Sequence, residues 1–340
     1  MKDFSNYSLL EHNTFGIDAK CRRYLEYESE EDALHIAGSL TDNDKPLLII
    51  GGGSNLLLTK DYDSTVVRSG IKGIEVKKDD SNANSVLVRC GSGETWDDVV
   101  DYCVKKGYYG SENLSLIPGD VGASAVQNIG AYGAEVKDLI VEIEAIDLQT
   151  CNRVVIPASE CKYAYRNSRF KGEWKGRFLI TYVTYRLSEV FNPNIEYGQI
   201  KNELSARGII IPDARQLREV IISIRQAKLP DVKVEGNAGS FFMNPVVPTA
   251  KWKSLQSEYP DMPYYIISDE EVKIPAGWMI EQCGWKGKTV GKAGVHNRQA
   301  LVLVNRGGAT GCEIVSLCEM IRKDVADKFG IAIYPEVNII

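Results

Sequence analysis

Apolar positions in the first third of the chain fall in short runs separated by helix-like segments. "EEDALHIAGSL" (30–40) repeats its apolar residues at helical spacing. "PLLII" (46–50) predicts a buried strand ending in "GGGSN", and "STVVRS" and "SVLVRCGSG" predict two more strands. The last of these runs into "ETWDDVVDYCVKKG". Thr95 followed by Asp98 reads there as a capping box and Gly107 as a stop, so a helix is expected between them. Strand, helix and strand at this pitch predict an α/β arrangement.

From about residue 138 the pattern turns to strands: "LIVEIEAIDLQT", "NRVVIPASE" and "RFLITYVTYRLS". Residues 187–200 read as loop, and "ARQLREVIISIRQAKLP" (214–230) reads as an amphipathic helix closed by Pro230. Beyond it the pattern predicts a helix at "AGWMIEQCG", a strand at "ALVLVN", a long helix at "TGCEIVSLCEMIRKDVADKFG" and a final strand "IAIYPEVNII". There is no internal repeat and no low-complexity linker.

A chain of 340 residues predicts two or three domains, and 44% hydrophobic with 25% charged residues predicts that nearly all of it folds. A net charge of −6 argues against a nucleic-acid partner while leaving room for a local basic site. No run approaches the length of a membrane span, and "MKDFSNYSLLEHNTF" lacks the apolar core of a signal peptide, so a cytoplasmic protein is expected. The eight cysteines form no CxxC pair and read as reduced thiols. Three scattered histidines suggest no metal site, so the chemistry is expected to use neither a metal nor a histidine base.

Three glycine-rich turns follow strands: "GGGSN" (51–55), "GSGE" (91–94) and "IPGDVGASAVQNIGAYG" (117–133). Glycine lets a backbone approach a ligand closely and turn its N–H groups inward, which suits a pyrophosphate. Leu56 and Trp96 stand where a dinucleotide fingerprint needs its third glycine, and Gln282 stands where "GKT" would need the first glycine of a P-loop. A dinucleotide outside a Rossmann fold is the expectation. "GSFFMNP" (239–245) sets Ser240 between a glycine and two phenylalanines. Two readings of it stay open: a buried turn with its hydroxyl bonded to backbone, or a hydroxyl kept in a dry pocket with its proton available.

"IIGGGSNLLL", "IPGDVGASAVQNIGAYGAEV", "YAYRNSRF", "KLPDVKVEGNAGSFFMNP", "PAGWMIEQCGWKG" and the terminal "PEVNII" occur in an order that resembles the UDP-N-acetylenolpyruvoylglucosamine reductase family, from about Asn13 to the last residue. The resemblance implies an α+β, three-part flavoprotein. Its FAD-binding fold would be of the vanillyl-alcohol oxidase and p-cresol methylhydroxylase type, with a C-terminal α/β substrate-binding domain. The implied boundaries are 1–78 completed by the strand 333–340, then 79–224, then 225–332. FAD would be held without a covalent bond, because Gly53-Ser54-Asn55 stands where covalent members carry a histidine. "YGQ" (197–199) resembles the long form of the family, whose tyrosine-bearing loop folds over substrate. Met243 departs from the pattern where a lysine would fit.

The implied activity is an NADPH-dependent reduction of UDP-N-acetylglucosamine enolpyruvate to UDP-N-acetylmuramate in peptidoglycan precursor synthesis, by a monomer acting on small molecules alone. Hydride from the flavin N5 would add to the alkene, and a proton must reach the neighbouring carbon, so the site needs enolate stabilisation and a positioned acid. The resemblance assigns the acid to Ser240 and the stabilisation to Arg166 and Glu336. The last could act as a protonated carboxyl if buried. Implied FAD contacts are Gly51, Gly52, Gly53, Ser54, Asn55, Leu56, Pro118, Gly119, Gly122, Ala123, Gln127, Asn128, Gly130, Ala131 and Tyr132. Implied substrate contacts are Tyr197, Lys228, Asn244, Lys286 and Gln299, with the lysines suited to a diphosphate. Two rivals are an oxidase of the same flavin superfamily, which would be reoxidised by oxygen, and a nucleotide-sugar binder without flavin.

Overall fold

The computed structural model describes residues 1–197 and 199–340, so Gly198 of "YGQ" lies outside the described residues. The chain forms two compact units. One comprises Met1–Tyr7, Cys21–Gly52 and Asp63–Arg225; the other comprises Ser8–Lys20, Gly53–Tyr62 and Gln226–Ile340. Residues 333–340 thus belong to the second unit, together with the Leu56–Leu57 segment they pair with.

In the first unit a five-stranded antiparallel sheet runs in the order Asn152–Pro157, Ile140–Asp147, Phe178–Ser188, Ser85–Gly91 and Ile74–Lys78. Alternate residues of its strands (Val86, Val88, Cys90, Val183, Tyr185) join Trp96, Val99, Val100 and Cys103 of the helix Trp96–Lys106 in one core, as period-two strands against an amphipathic helix should. That helix has the expected bounds, and Gly107 ends it in the left-handed region at φ 79°. The expected capping box does not form: the Thr95 side chain makes no cap bond, and its backbone is paired with Asp120.

A second sheet runs Lys2–Ser8, Lys20–Tyr27, Tyr62–Ser69 and Leu48–Ile50, the last two parallel. Leu48–Ile50 is half-buried, against the expectation of a buried strand, because it lies at the sheet edge. The helix Ala214–Lys228 stops before Pro230 as expected, and its apolar face packs Leu217, Val220, Ile221 and Ile224 on Ile200 and Leu204.

The second unit is built of short strands around two helices legible in the sequence, Ala276–Gln282 and Gly311–Phe329. Thr310 and Glu313 form a reciprocal capping box at the start of the long one. A helix at Thr249–Glu258 was not foreseen. The final strand is much shorter than expected, since only Asn338–Ile339 joins a sheet, parallel to Leu56–Leu57.

The segment 8–20 of this unit is held by one side chain. Asn13, 6% exposed, donates through Nδ2 to the carbonyls of Leu9 (2.8 Å) and Ile17 (2.9 Å), and its Oδ1 accepts from the Ile17 N–H (2.9 Å). The loop so fixed supports Gly53, whose carbonyl accepts from the Thr14 N–H at 3.2 Å. At φ 65° a Cβ on Gly53 would lie 1.9 Å from the His12 carbonyl oxygen, so no other residue fits. Asn13→Ala strands three buried backbone groups and should lower unfolding free energy by about 2–4 kcal/mol in urea titration. A loss below about 1 kcal/mol would mean that water replaces all three bonds.

Candidate functional site

All three glycine segments have parts in the first unit, and there the third, which holds the helix Val121–Gln127 where a turn was expected, packs against each of the other two. A Cβ on Gly51 would come within 2.9 Å of the Ala123 Cβ, and one on Gly52 within 3.4 Å of the Gly119 Cα. The 117–123 segment is also bonded to the turn at 91–94: Gly122 N–H to Ser92 O (2.9 Å), Val121 N–H to Glu94 O (2.8 Å) and Trp96 N–H to Gly119 O (2.9 Å). The result is a cradle of bare backbone.

Its lining carries charge that sequence reading missed. Asp120 touches the Gly51–Gly52 turn and accepts from Arg68 (3.2 Å), which also reaches Glu26 (3.2 Å). Burial pushes the Asp120 carboxyl up and Arg68 opposes it. Arg68 Nε and Thr181 Oγ1 are buried without a hydrogen-bond partner among the described residues. Close-packed glycine turns with spare donors beneath them fit a dinucleotide cofactor. Gly53, Ser54, Asn55 and Leu56, also expected to touch it, belong to the second unit.

Arg166 joins the far end of the third turn. Its backbone is left-handed at φ 52°, and its guanidinium donates to the carbonyls of Gly130 and of Asn128, the latter at 3.4 Å. Gly130 makes room for it: a Cβ there would sit 2.8 Å from Arg166 Nη1. Asn128 is fully buried and engaged with its own framework, donating to Glu135 Oε2 and Ala164 O (2.8 Å each) and accepting from Lys137 N–H (3.1 Å). Expected as a cofactor contact, it spends its side chain holding the Arg166 loop. Tyr132 packs against the helical cluster of Leu217 and Val220 and bonds the Arg225 guanidinium. Burial lowers the pKa of Arg225, a cation in "IRQAKLP" that the sequence reading passed over, and its Nε has no partner among the described residues. Tyr197 is exposed on its loop.

In the second unit the backbone brings Ser240 and Glu336 together. Gly239, left-handed at φ 68°, donates its N–H to Asn237 Oδ1 (2.9 Å) and turns the chain into Ser240. Past the serine, Phe241 N–H bonds Leu301 O (2.7 Å), Glu336 N–H bonds Phe241 O (2.8 Å) and Met243 N–H bonds Tyr334 O (2.9 Å). Phe241 and Phe242 are buried at 0% and 1% exposure, whereas Ser240 is exposed and its hydroxyl has no hydrogen-bond partner among the described residues. Neither reading from sequence holds as stated: the hydroxyl is not bonded to backbone, and it does not lie in a dry pocket, because the phenylalanines sit in the core without shielding the serine. Glu336 is half-buried, and its carbonyl accepts from Asn55 Nδ2 (3.4 Å).

The remaining candidates divide. Asn244 Oδ1 accepts from the Ala276 N–H (2.9 Å) and so caps the helix Ala276–Gln282. Gln299 lies against Gly277 of that helix and beside Leu301, which holds Phe241. Lys286 pairs with Glu281 (2.8 Å), and half-buried Lys228 has no ion-pair partner among the described residues. Cys151 and Cys312 are exposed, the other thiols wholly or partly buried, and all eight are free. Among the described residues there is no cluster fit for a metal, and no helix is long and apolar enough to cross a membrane.

Residues 22–151 match the family model described as FAD binding domain, and residues 230–340 match that described as UDP-N-acetylenolpyruvoylglucosamine reductase, C-terminal domain. A UDP-N-acetylenolpyruvoylglucosamine reductase of Bacteroides fragilis (strain YCH46) is 53% identical over 334 residues, covering 98% of this chain and 99% of its own. One from Flavobacterium johnsoniae is 45% identical over 337 residues, covering 99% of both. The crystal structure of the Thermus caldophilus enzyme of that name superposes with a TM-score of 0.67 at 19% identity, over 99% of this chain and 98% of its own, which shows a common fold. The chain shares that enzyme's fold, and its cofactor is FAD.

If the stacked turns hold that cofactor, Gly51→Val should wedge Gly51 from Ala123 and speed flavin dissociation at least about ten-fold, the effect of losing roughly 1.4 kcal/mol of binding. Released-flavin fluorescence measures this, with circular dichroism of the apoprotein as the control for folding. Unchanged flavin retention would separate the cradle from the cofactor.

Proposed function

The chain belongs to the UDP-N-acetylenolpyruvoylglucosamine reductase family, and from that premise we propose that it reduces the enolpyruvyl ether of UDP-N-acetylglucosamine to UDP-N-acetylmuramate, with NADPH as reductant. It is an FAD-dependent oxidoreductase. The step serves peptidoglycan precursor synthesis, carried out by a cytoplasmic monomer that binds no nucleic acid. Residues 1–78 with 333–340, and 79–224, would serve FAD, and 225–332 the substrate.

Bound non-covalently, FAD would supply hydride from N5 to the terminal alkene carbon. The chain supplies the rest. Arg166, held by two carbonyls and given room by Gly130, is a cation with a fixed direction, suited to charge developing on the enolate and its carboxylate. Glu336, whose main chain is tied to Phe241 and Asn55, is the hydrogen-bonding partner at the same charge. Ser240 delivers the proton. Tyr197, Lys228, Asn244, Lys286 and Gln299 bind the UDP-sugar; Lys286 would exchange its Glu281 partner for a diphosphate oxygen.

The observation that carries this reading is the Ser240 hydroxyl, exposed, without a partner among the described residues, and set one residue from the main-chain bond to Glu336.

Ser240→Ala should therefore leave flavin reduction by NADPH near its normal rate and slow reoxidation by the enolpyruvyl substrate about 10²–10⁴-fold, read by anaerobic rapid-mixing absorbance. Equal slowing of both half-reactions would make the serine a shaping residue. Rapid reoxidation by oxygen with another substrate would favour the oxidase reading. Tyr197→Phe tests the loop: loss of one phenolic bond should weaken UDP-sugar binding by about 1 kcal/mol in calorimetry and leave flavin content unchanged.

A further inference from the structure

The 3₁₀ turn Glu112–Leu114 of the first unit is fixed from several sides. The Glu112 carboxylate accepts from the Gly110 N–H (3.1 and 2.9 Å), the Ser115 hydroxyl donates to the Glu112 carbonyl (2.5 Å), and Trp96 Nε1 donates to the Leu114 carbonyl (2.9 Å). Asn113, at its centre, is 3% exposed. Its Nδ2 donates to two carbonyls, Tyr132 at 2.8 Å and Asn194 at 2.9 Å. Tyr132 closes the third glycine turn, and Asn194 lies on the loop that carries Tyr197. Asn194 Nδ2 in turn reaches the Gly133 carbonyl (3.4 Å), and a Cβ on Gly133 would stand 3.3 Å from the Tyr197 Cβ.

We propose that Asn113 is a positioning residue that clasps the Tyr197 loop to the glycine turn and so sets where Tyr197 stands. This rests on the reading of Tyr197 as a substrate ligand. A side-chain amide nitrogen carries two hydrogens and can bond two carbonyls at once; a carboxylate of the same shape has none to give. The rigid turn behind Asn113 makes the clasp directional, because neither loop can shift without breaking a partly buried bond or dragging the 3₁₀ turn with it. The clasp also ties the loop over the substrate to the turn that faces the cofactor.

Asn113→Asp keeps the volume and removes both donors. Hydrogen exchange across residues 191–197 should accelerate at least about ten-fold while the strand Phe178–Ser188 is unchanged. KM for the UDP-sugar should rise about ten-fold, with kcat at saturating substrate and flavin content nearly constant, as expected for two lost bonds that act on ground-state binding. Should the buried carboxylate disturb folding, Gly133→Ala is the second variant. It crowds Tyr197 from an exposed position and should raise the same KM. Unchanged exchange in 191–197, or faster exchange throughout the unit, overturns the clasp. Faster exchange confined to 191–197 with KM unchanged upholds the clasp and removes Tyr197 from substrate binding, so the two ideas fail separately.

Discussion

Main-chain hydrogen bonds made by residues 334–340 organise the chemistry of the second unit. On one side Tyr334 and Glu336 bond Met243 and Phe241; on the other, Asn338 and Ile340 bond Asn55, Leu57 and Thr59. The GSN turn and the serine segment are far apart in sequence, yet each borders this one stretch. Most of these bonds are backbone to backbone, and the side chains of Asn55, Thr59 and Asn338 add to them, so together they set the spacing of Ser240, Glu336 and Asn55. The Ser240 hydroxyl, for its part, makes no hydrogen bond among the described residues, so it is not committed to holding the fold.

The first unit solves the same problem with side chains. Asn128 donates two hydrogen bonds and accepts one to hold the loop at Arg166, and Gly130 gives up a side chain so that the guanidinium can lie across it. Arg68 stands between Glu26 and Asp120 beneath the glycine turns. An isolated buried charge would be costly, and pairing it on two sides keeps a cation near the bare backbone of the cradle. The protein is acidic overall, yet Arg68, Arg166, Arg218 and Arg225, all half-buried or buried, lie in this unit.

Much of this was legible in the sequence because it follows from periodicity or from single strong signals. The helices at 96–106, 214–228 and 311–329 and four of the five strands of the antiparallel sheet follow the apolar pattern closely, while its edge strand Ile74–Lys78 was passed over. Failures came where tertiary partners decide. Thr95 and Asp98 have the residues of a capping box, but the Thr95 backbone is claimed by Asp120. "IAIYPEVNII" has the composition of a strand, but its first part pairs only through scattered bonds to the serine segment. The glycine turns were recognised as close-approach backbones, while which of them meet, and that Gly130 serves Arg166, could be seen only in three dimensions. Ser240 stood open between two readings because exposure and hydrogen bonding are not properties of a residue's neighbours in sequence. Asn113 carried no signal at all, since an asparagine in "SENLS" looks like any turn residue.

The path of the chain has a consequence for modularity. It crosses between the two units five times, after Tyr7, Lys20, Gly52, Tyr62 and Arg225. The second unit is thus an assembly of three separate pieces of sequence, and the portion from residue 226 onward is only the largest. That portion alone would lack the Phe15 backbone on which Gly236 rests and the strand Leu56–Leu57 that pairs its last residues. No single cut in a gene separates such units. Recombination can therefore exchange this half only together with two short insertions embedded in the other, and the two halves are bound to be inherited as one.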